Sequence, residues 1–296
     1  MNTRCEDFFP SRRRLVDEYL AEVTGGESLS DITEAVRYSL LAGGKRLRPL
    51  LLMAAAEAAG ADSARFLPVA CGLEMIHAYS LIHDDLPAMD DDDYRRGRLA
   101  CHKVFGEAKA ILAGDALLAW AFEVMLGQGG VPQDVLVKTV KEIAFCAGPE
   151  GMVGGQTIDI EAEQTAGKNL SLEELQKMHR AKTGALFRAA VLAGGMLAGA
   201  PDGQLAALKD YAGNFGLAFQ ITDDILDVTG DPAAMGKKAG SDARKNKITY
   251  VSAFGLEQAE KLARAHVGKA VLALAVFDGE AGYLRFLAEN LIARKN

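Results

Sequence analysis

Apolar residues recur every three or four positions along nearly all of this 296-residue chain. No stretch shows the period-two alternation that a half-buried strand requires. The periodic stretches are rich in Ala, Leu, Glu and Lys, which favour helix. The spacing predicts helices over about 12–23, 30–42, 47–59, 64–86, 106–127, 132–147, 149–164, 171–183, 185–198, 202–229, 255–276 and 279–293. Pro10, Pro49, Pro68, Pro132, Pro149 and Pro201 fall near predicted starts, where a missing N–H is harmless. Pro87 and Pro232 follow acidic clusters and mark places where a helix stops or bends. "AILAGDALLAWAFEVML" and "GALFRAAVLAGGMLAGA" are apolar on more than one side, as helices inside a bundle or at a subunit interface are. Gly194, Gly195 and Gly199 each weaken a helix by about 1 kcal/mol relative to Ala, and close helix approach is the expected compensation. With no linker, repeat or low-complexity tract, the expectation is one all-α domain over 1–296, an antiparallel helical bundle. The exception is 230–249, "GDPAAMGKKAGSDARKNKIT", whose glycines, proline and lysines read as a mobile basic loop.

A net charge of −7 and a pI near 5.4 exclude a nucleic-acid surface, which would be basic. The first twenty residues hold no continuous apolar run of the secretory kind. Glu74 and His77 interrupt the longest candidate membrane span. The four cysteines, Cys5, Cys71, Cys101 and Cys146, form no CxxC pair. Reduced thiols in a cytoplasmic protein are the expectation, with neither a disulfide framework nor a zinc site.

Two acidic clusters each follow a long apolar run. "SLIHDDLPAMDDDDYRRGR" carries Asp84, Asp85 and Asp90 to Asp93; "FQITDDILDVTGD" carries Asp223, Asp224 and Asp227. Asp223 and Asp227 lie one turn apart on a single helical face and could hold a hard cation between them. Magnesium suits such a pair, because it takes oxygen ligands, keeps several waters and bridges carboxylates to phosphate. Asp90 would point about 120° away from Asp84 on an ideal helix. A break at Pro87 would let the chain turn Asp90 back toward Asp84. Either cluster alone reads as a solvated helix end. Two of them facing each other would repel by several kcal/mol in a partly buried cleft, so the pattern demands divalent metal and nearby arginine.

Basic residues suited to a multiply charged anion sit in "GGKRLRP" (Lys45, Arg46, Arg48), in "RRGR" (Arg95, Arg96, Arg98), in "HRAKTGALFRAA" (Lys182, beside Thr183) and in the basic loop (Lys237, Lys238, Lys245, Lys247). The first group precedes a predicted helix, whose N-terminal N–H groups also favour anions. Together with the acidic motifs they outline a phosphate site with metal and cationic clamps.

These motifs, with "GEAKAILAGDALL", "GGQTIDIEAE" and "GKKAGSDARKNKITY", resemble the short-chain trans-polyprenyl diphosphate synthases, and within them the bacterial farnesyl diphosphate synthases. The resemblance runs from about residue 30 to the C-terminus, in family order and spacing. It implies the isoprenoid synthase fold around a central apolar cavity. It also implies condensation of isopentenyl diphosphate with dimethylallyl and then geranyl diphosphate, releasing diphosphate. By similarity, Asp84 and Asp90 hold two magnesium ions with Asp85 supporting, Asp223 holds a third, and Asp227 stands behind it. Lys45, Arg48, His77 and Arg96 would hold isopentenyl diphosphate. Arg95, Lys182 and Lys237 would grip the allylic diphosphate, with Thr183 and Gln220 beside the developing cation. Such chemistry needs a dry cavity and no side-chain nucleophile. Tyr79 and Ser80 lie about 6–7.5 Å back along the helix from Asp84. In the resembling family bulk there marks short products, so farnesyl is expected over geranylgeranyl, with geranyl as a further alternative. A homodimer is implied as well. His83, His102, His179 and His266 receive no role, and Gln156 and Asp159 could serve helix packing as readily as substrate. Arg294 and Lys295 are candidates to fold over isopentenyl diphosphate. Val251 departs from a frequent proline of the family.

Three rival readings are distinguishable. A terpene cyclase would need neither the second acidic motif nor "GGKRLRP". A metal-dependent phosphohydrolase of the His-Asp kind would need further histidine and aspartate ligands. A non-catalytic partner subunit would be expected to have lost aspartates.

Overall fold

The computed structural model describes residues 2–26, 30–164, 170–230, 247–277 and 279–293. The fold is all-α, as the apolar spacing predicts. In chain order the helices are α1 (Asn2–Val23), α2 (Ile32–Leu40), α3 (Leu47–Ala58), α4 (Leu67–Asp84), α5 (Cys101–Phe105), α6 (Glu107–Leu126), α7 (Gln133–Ala147), α8 (Met152–Gln164), α9 (Leu172–His179), α10 (Ala185–Leu197), α11 (Asp202–Thr229), α12 (Tyr250–Phe254), α13 (Leu256–Ala273) and α14 (Gly282–Ala293). Backbone contacts group them into two compact units, Met1–Met53 with Asp62–Val140 and Ala54–Ala61 with Lys141–Asn296.

The first unit is organised by α4 against α6. Gly72 of α4 lies so close to the other helix that a Cβ there would meet the Met125 side chain and the Ala121 carbonyl; Gly114 of α6 is likewise covered by the His83 ring. The two contacts are displaced along the helices in opposite directions, so α4 and α6 run antiparallel. They enclose Leu73, Ile76, Ala113, Leu117 and Ala121, all buried. Pro68 sits in the first turn of α4, where its missing N–H costs nothing. α4 ends at Asp84, two residues short of the predicted end, and begins after a separate 3-10 turn, Ser63–Phe66. Pro10 lies inside α1 and not before its start.

The second unit is built on α11, flanked by α10 and α13. α9 and α10 are one continuous helix, joined through a π-helical turn at Arg180–Gly184 instead of a break. Small residues make room for that turn. A Cβ at Gly155 of α8 would collide with the Lys182 backbone, and one at Gly216 of α11 with the Gly184 Cα. π-Turns tend to occur at functional positions.

The sequence periodicity missed two short helices, α5 and α12, and a two-residue antiparallel ribbon, β1 (Tyr94–Arg95) with β2 (Arg98–Leu99). Its turn puts Arg96 and Gly97 at φ +55° and +74°, the left-handed pair that tight hairpins favour. Cys71, Cys101 and Cys146 are buried free thiols. No helix among the described residues is long and apolar enough to cross a membrane.

Candidate active site

The first acidic motif begins where α4 stops. Beyond Asp84 the chain makes a compact turn around Pro87, closed by the Asp90 N–H donating to the Asp84 carbonyl at 2.8 Å. Asp90 is thus brought back beside Asp84, as the break at Pro87 predicts. Both remain half-buried, whereas Asp85 is only 2% exposed. Arg95 spends its fork on Asp85: Nε donates to Oδ1 at 2.9 Å, and Nη2 makes a second close contact with the same carboxylate. Arg95 also lies 3.6 Å from Asp92. Asp85, expected in a supporting role at the metal, here fixes Arg95.

The same unit carries the basic group. The segment between α2 and α3 is a left-handed turn, with φ +80° at Gly43, +126° at Gly44 and +48° at Arg46. Gly44 also sits under the Arg96 guanidinium, which a Cβ at 44 would displace. Lys45 is exposed and Arg48 half-buried, while Arg46 is 2% exposed. Arg46 donates from Nε to Asp17 Oδ1 (2.8 Å), from Nη1 to Glu74 Oε1 (2.9 Å) and from Nη2 to the Leu40 carbonyl (2.8 Å). Arg96 donates from Nη1 to the Gly43 carbonyl and lies 4.0 Å from Glu74. Burial and Arg96 pull Arg48 down to about 10, against the opposing pull of Glu74, so it stays protonated near neutrality. Burial, then Arg48, Arg96, Arg95 and Arg46, holds His77 well below the usual imidazole range. His77 is therefore neutral in the free protein, and a diphosphate arriving there would favour its protonation.

Tyr79 is 6% exposed, one turn from His83, whose ring it meets edge-on. His83 Nε2 is 3.0 Å from the Ile111 carbonyl. Tyr79 thus packs on His83, which in turn reaches α6. Ser80 is turned back on its own helix, its hydroxyl donating to the His77 carbonyl at 2.9 Å.

In the second unit the π-turn presents Lys182 and Thr183. Lys182 Nζ contacts Asp159 Oδ2 of α8. The Thr183 hydroxyl donates to Gln220 Oε1 (2.8 Å), Gln220 Nε2 donates to Asp224 Oδ1 (2.8 Å), and the Tyr250 N–H donates to Asp224 Oδ2 (2.8 Å). Asp223 is exposed and Asp227 half-buried on α11, while Asp224 is 2% exposed. Asp159, undecided from sequence, thus partners Lys182. Gln156 Oε1 is buried without a hydrogen-bond partner. Lys237, Lys238, Lys245, Pro232, Arg294 and Lys295, and most of the basic loop expected at 230–249, lie outside the described residues. Lys247 is described, 3.7 Å from Glu163.

Sequence reasoning gave no role to Glu74, Asp17 or Asp224. For Glu74 a signal was available: it is a lone charge inside the apolar run "CGLEMI", and a buried charge implies a partner. Among the described residues no group of three or more His, Cys, Asp or Glu converges to hold a metal ion. A cation taken up by Asp84 with Asp90, or by Asp223 with Asp227, would have only carboxylate oxygen from the chain. It would complete its shell with water and phosphate oxygen. That donor set fits magnesium and is wrong for zinc.

Paired carboxylates in each unit, and in the first unit arginines clustered around them, suit a class of protein that handles multiply anionic substrates. Residues 30–273 match the Polyprenyl synthetase family, and the chain belongs to it. It is 44% identical to the farnesyl diphosphate synthase of Geobacillus stearothermophilus over 98% of this chain and 97% of that one. It is 45% identical to the geranylgeranyl diphosphate synthase of Cyanophora paradoxa over 96% of this chain and 95% of that one. The crystal structure of an FPP/GFPP synthase from Zymomonas mobilis superposes with a TM-score of 0.87 at 37% identity, covering 99% of this chain and 100% of that one. The chain is accordingly a prenyltransferase.

Proposed function

We propose that the protein joins isopentenyl diphosphate to dimethylallyl diphosphate and then to geranyl diphosphate, giving farnesyl diphosphate. The observation that carries this reading is the turn that returns Asp90 to Asp84 within the unit that also gathers Lys45, Arg48 and Arg96. Asp84 with Asp90, and Asp223 with Asp227 behind it, would hold three magnesium ions. Bound there, the metal supplies positive charge to the departing diphosphate.

The chain's own residues do the rest. Arg95, Lys182 and Lys237 grip the allylic diphosphate, and the fixing of Arg95 by Asp85 and of Lys182 by Asp159 presets two of these cations before substrate arrives. Thr183 and Gln220 offer oxygen dipoles to the allylic cation, held in place through Asp224. Lys45, Arg48, Arg96 and His77 orient isopentenyl diphosphate so that its alkene meets the cation. The released diphosphate accepts the final proton. Tyr79 closes the path of the growing chain, which favours a C15 product over the C20 product that the Cyanophora relative is named for. Single domain organisation, cytoplasmic location and a homodimer complete the proposal. The exposed Leu112, Leu126 and Val137 are suited to covering by a second copy.

The test is to incubate the protein with magnesium, isopentenyl diphosphate and dimethylallyl diphosphate and to size the dephosphorylated products. Farnesol is expected. Products formed from geranyl or farnesyl diphosphate without isopentenyl diphosphate would instead indicate a cyclase or a hydrolase.

A further inference from the structure

We propose that Arg46 and Glu74, tied to α1 through Asp17, are positioning residues for the isopentenyl diphosphate site. They set the 43–46 turn and the place of Arg96 without touching substrate themselves. The inference rests on the assignment of Lys45, Arg48, His77 and Arg96 to that substrate.

Three cations stand in "GGKRLRP", and the structure gives them different duties. Lys45 is exposed, Arg48 is half-buried, and Arg46 is buried. Arg46 spends its three directional bonds on three helices: Asp17 of α1, the Leu40 carbonyl ending α2, and Glu74 of α4. The Leu40 bond satisfies a carbonyl that the helix end leaves open. The Asp17 and Glu74 bonds are charge-assisted, and roughly twice as strong as neutral ones. This anchoring accounts for a non-glycine residue at φ +48°, a conformation retained only where its surroundings over-determine it. Lys45 directly precedes Arg46 and Arg48 stands in the first turn of α3 just after it, so the anchor holds the backbone from which both extend.

Glu74 acts in two directions. One oxygen, Oε1, accepts from Arg46 and lies 4.0 Å from Arg96 Nη2. The other, Oε2, is buried with no hydrogen-bond partner. A buried carboxylate with an open oxygen is tolerated only inside a positive field, and Arg46, Arg48 and Arg96 supply one. In return Glu74 keeps these arginines gathered before a diphosphate arrives. Arg96 completes the assembly by donating to the Gly43 carbonyl over Gly44. Asp17 lies outside the family-matched segment 30–273, so α1 contributes to the site from beyond it.

The test measures initial rates of the full-length protein with magnesium, varying isopentenyl diphosphate at saturating geranyl diphosphate and the reverse, with thermal unfolding in parallel. Glu74→Gln is expected to raise KM for isopentenyl diphosphate at least about tenfold, leaving KM for geranyl diphosphate within about twofold. Asp17→Asn, at a carboxylate 40% exposed and so safe for folding, is expected to raise the first KM about threefold and the second not at all. The double variant R46M/E74M replaces the buried ion pair by apolar groups, an exchange that proteins often tolerate. It should regain thermal stability relative to E74Q while KM for isopentenyl diphosphate stays high. The proposal is overturned if KM recovers with stability in the double variant, if E74Q shifts both KM values alike, or if D17N shifts neither. If E74Q does not fold, D17N decides. A wild-type protein with no dependence on isopentenyl diphosphate overturns the underlying substrate assignment along with it. A dependent wild type with unresponsive variants overturns this proposal alone.

Discussion

The two acidic motifs use the same letters and opposite architecture. At the first, the helix stops at Asp84 and the chain folds back around Pro87, with Asp91 at φ +50° and Arg96 at φ +55°. At the second, α11 runs unbroken from Asp202 to Thr229, and helical spacing alone brings Asp223 and Asp227 to one face. The likeness lies in how each Asp-Asp pair divides. The first member is accessible, whereas the second, Asp85 or Asp224, is 2% exposed in both motifs. Asp85 holds Arg95, and Asp224 holds Gln220 and the Tyr250 N–H. A double aspartate here is one accessible carboxylate and one strut.

That division can be broken first where the effect is largest. Asp84→Asn and Asp223→Asn should each lower kcat by about 10²–10³-fold with an unchanged melting temperature. Steady-state rates with circular-dichroism melts check this. Equal rates for D84N and wild type would remove the first motif from the chemistry.

Acid should distinguish the units next. Burial holds His179 and His266 of the second unit down to about 4, and His77 of the first is also held low. All three are neutral in the fold, while the unfolded chain takes up protons as pH falls through about 6.5. Their contribution is therefore intact above pH 6.5 and is lost as pH falls toward 4. The loss is on the order of 3 kcal/mol for each of His179 and His266. Urea melts between pH 7 and 4 measure it, and substituting His266 should flatten the slope.

Asp224→Asn should behave unlike D223N. It sets an amide group against one of two buried donors and should cost about 1–3 kcal/mol of stability. Gly44→Ala should cost a similar or smaller amount, because a left-handed turn gains a Cβ against Arg96. Its signature is a raised KM for isopentenyl diphosphate. Tyr79→Ala has the smallest expected effect on rate and acts on the product, shifting part of it beyond C15. An unchanged product length would exclude Tyr79 as the floor of the path.

Long regular elements were legible in the sequence, because period and capping are local. The α11 range follows directly from its apolar spacing and from Pro201, and so does the shared face of Asp223 and Asp227. The return of Asp90 to Asp84 was also foreseeable, since a proline between two carboxylate groups leaves few other solutions. What stayed hidden depends on partners distant in sequence. Asp17 meets Arg46, Glu74 meets Arg46 and Arg96, and Asp159 meets Lys182. No local pattern encodes which buried charge finds which. The π-turn was hidden too: "HRAKTGALF" is good helix sequence, and only Gly155 and Gly216, far along the chain, reveal what packs against it.

The central claim of the proposal is that the first aspartate of each motif takes up metal while the second keeps its partner within the chain. The most direct measurement is a crystal structure of the protein with magnesium, isopentenyl diphosphate and an unreactive sulfur analogue of geranyl diphosphate. The account predicts metal bound by Asp84 and Asp90 and by Asp223, with Asp85 still on Arg95 and Asp224 still on Tyr250. A diphosphate bound elsewhere, or Asp223 far from any metal, would contradict it.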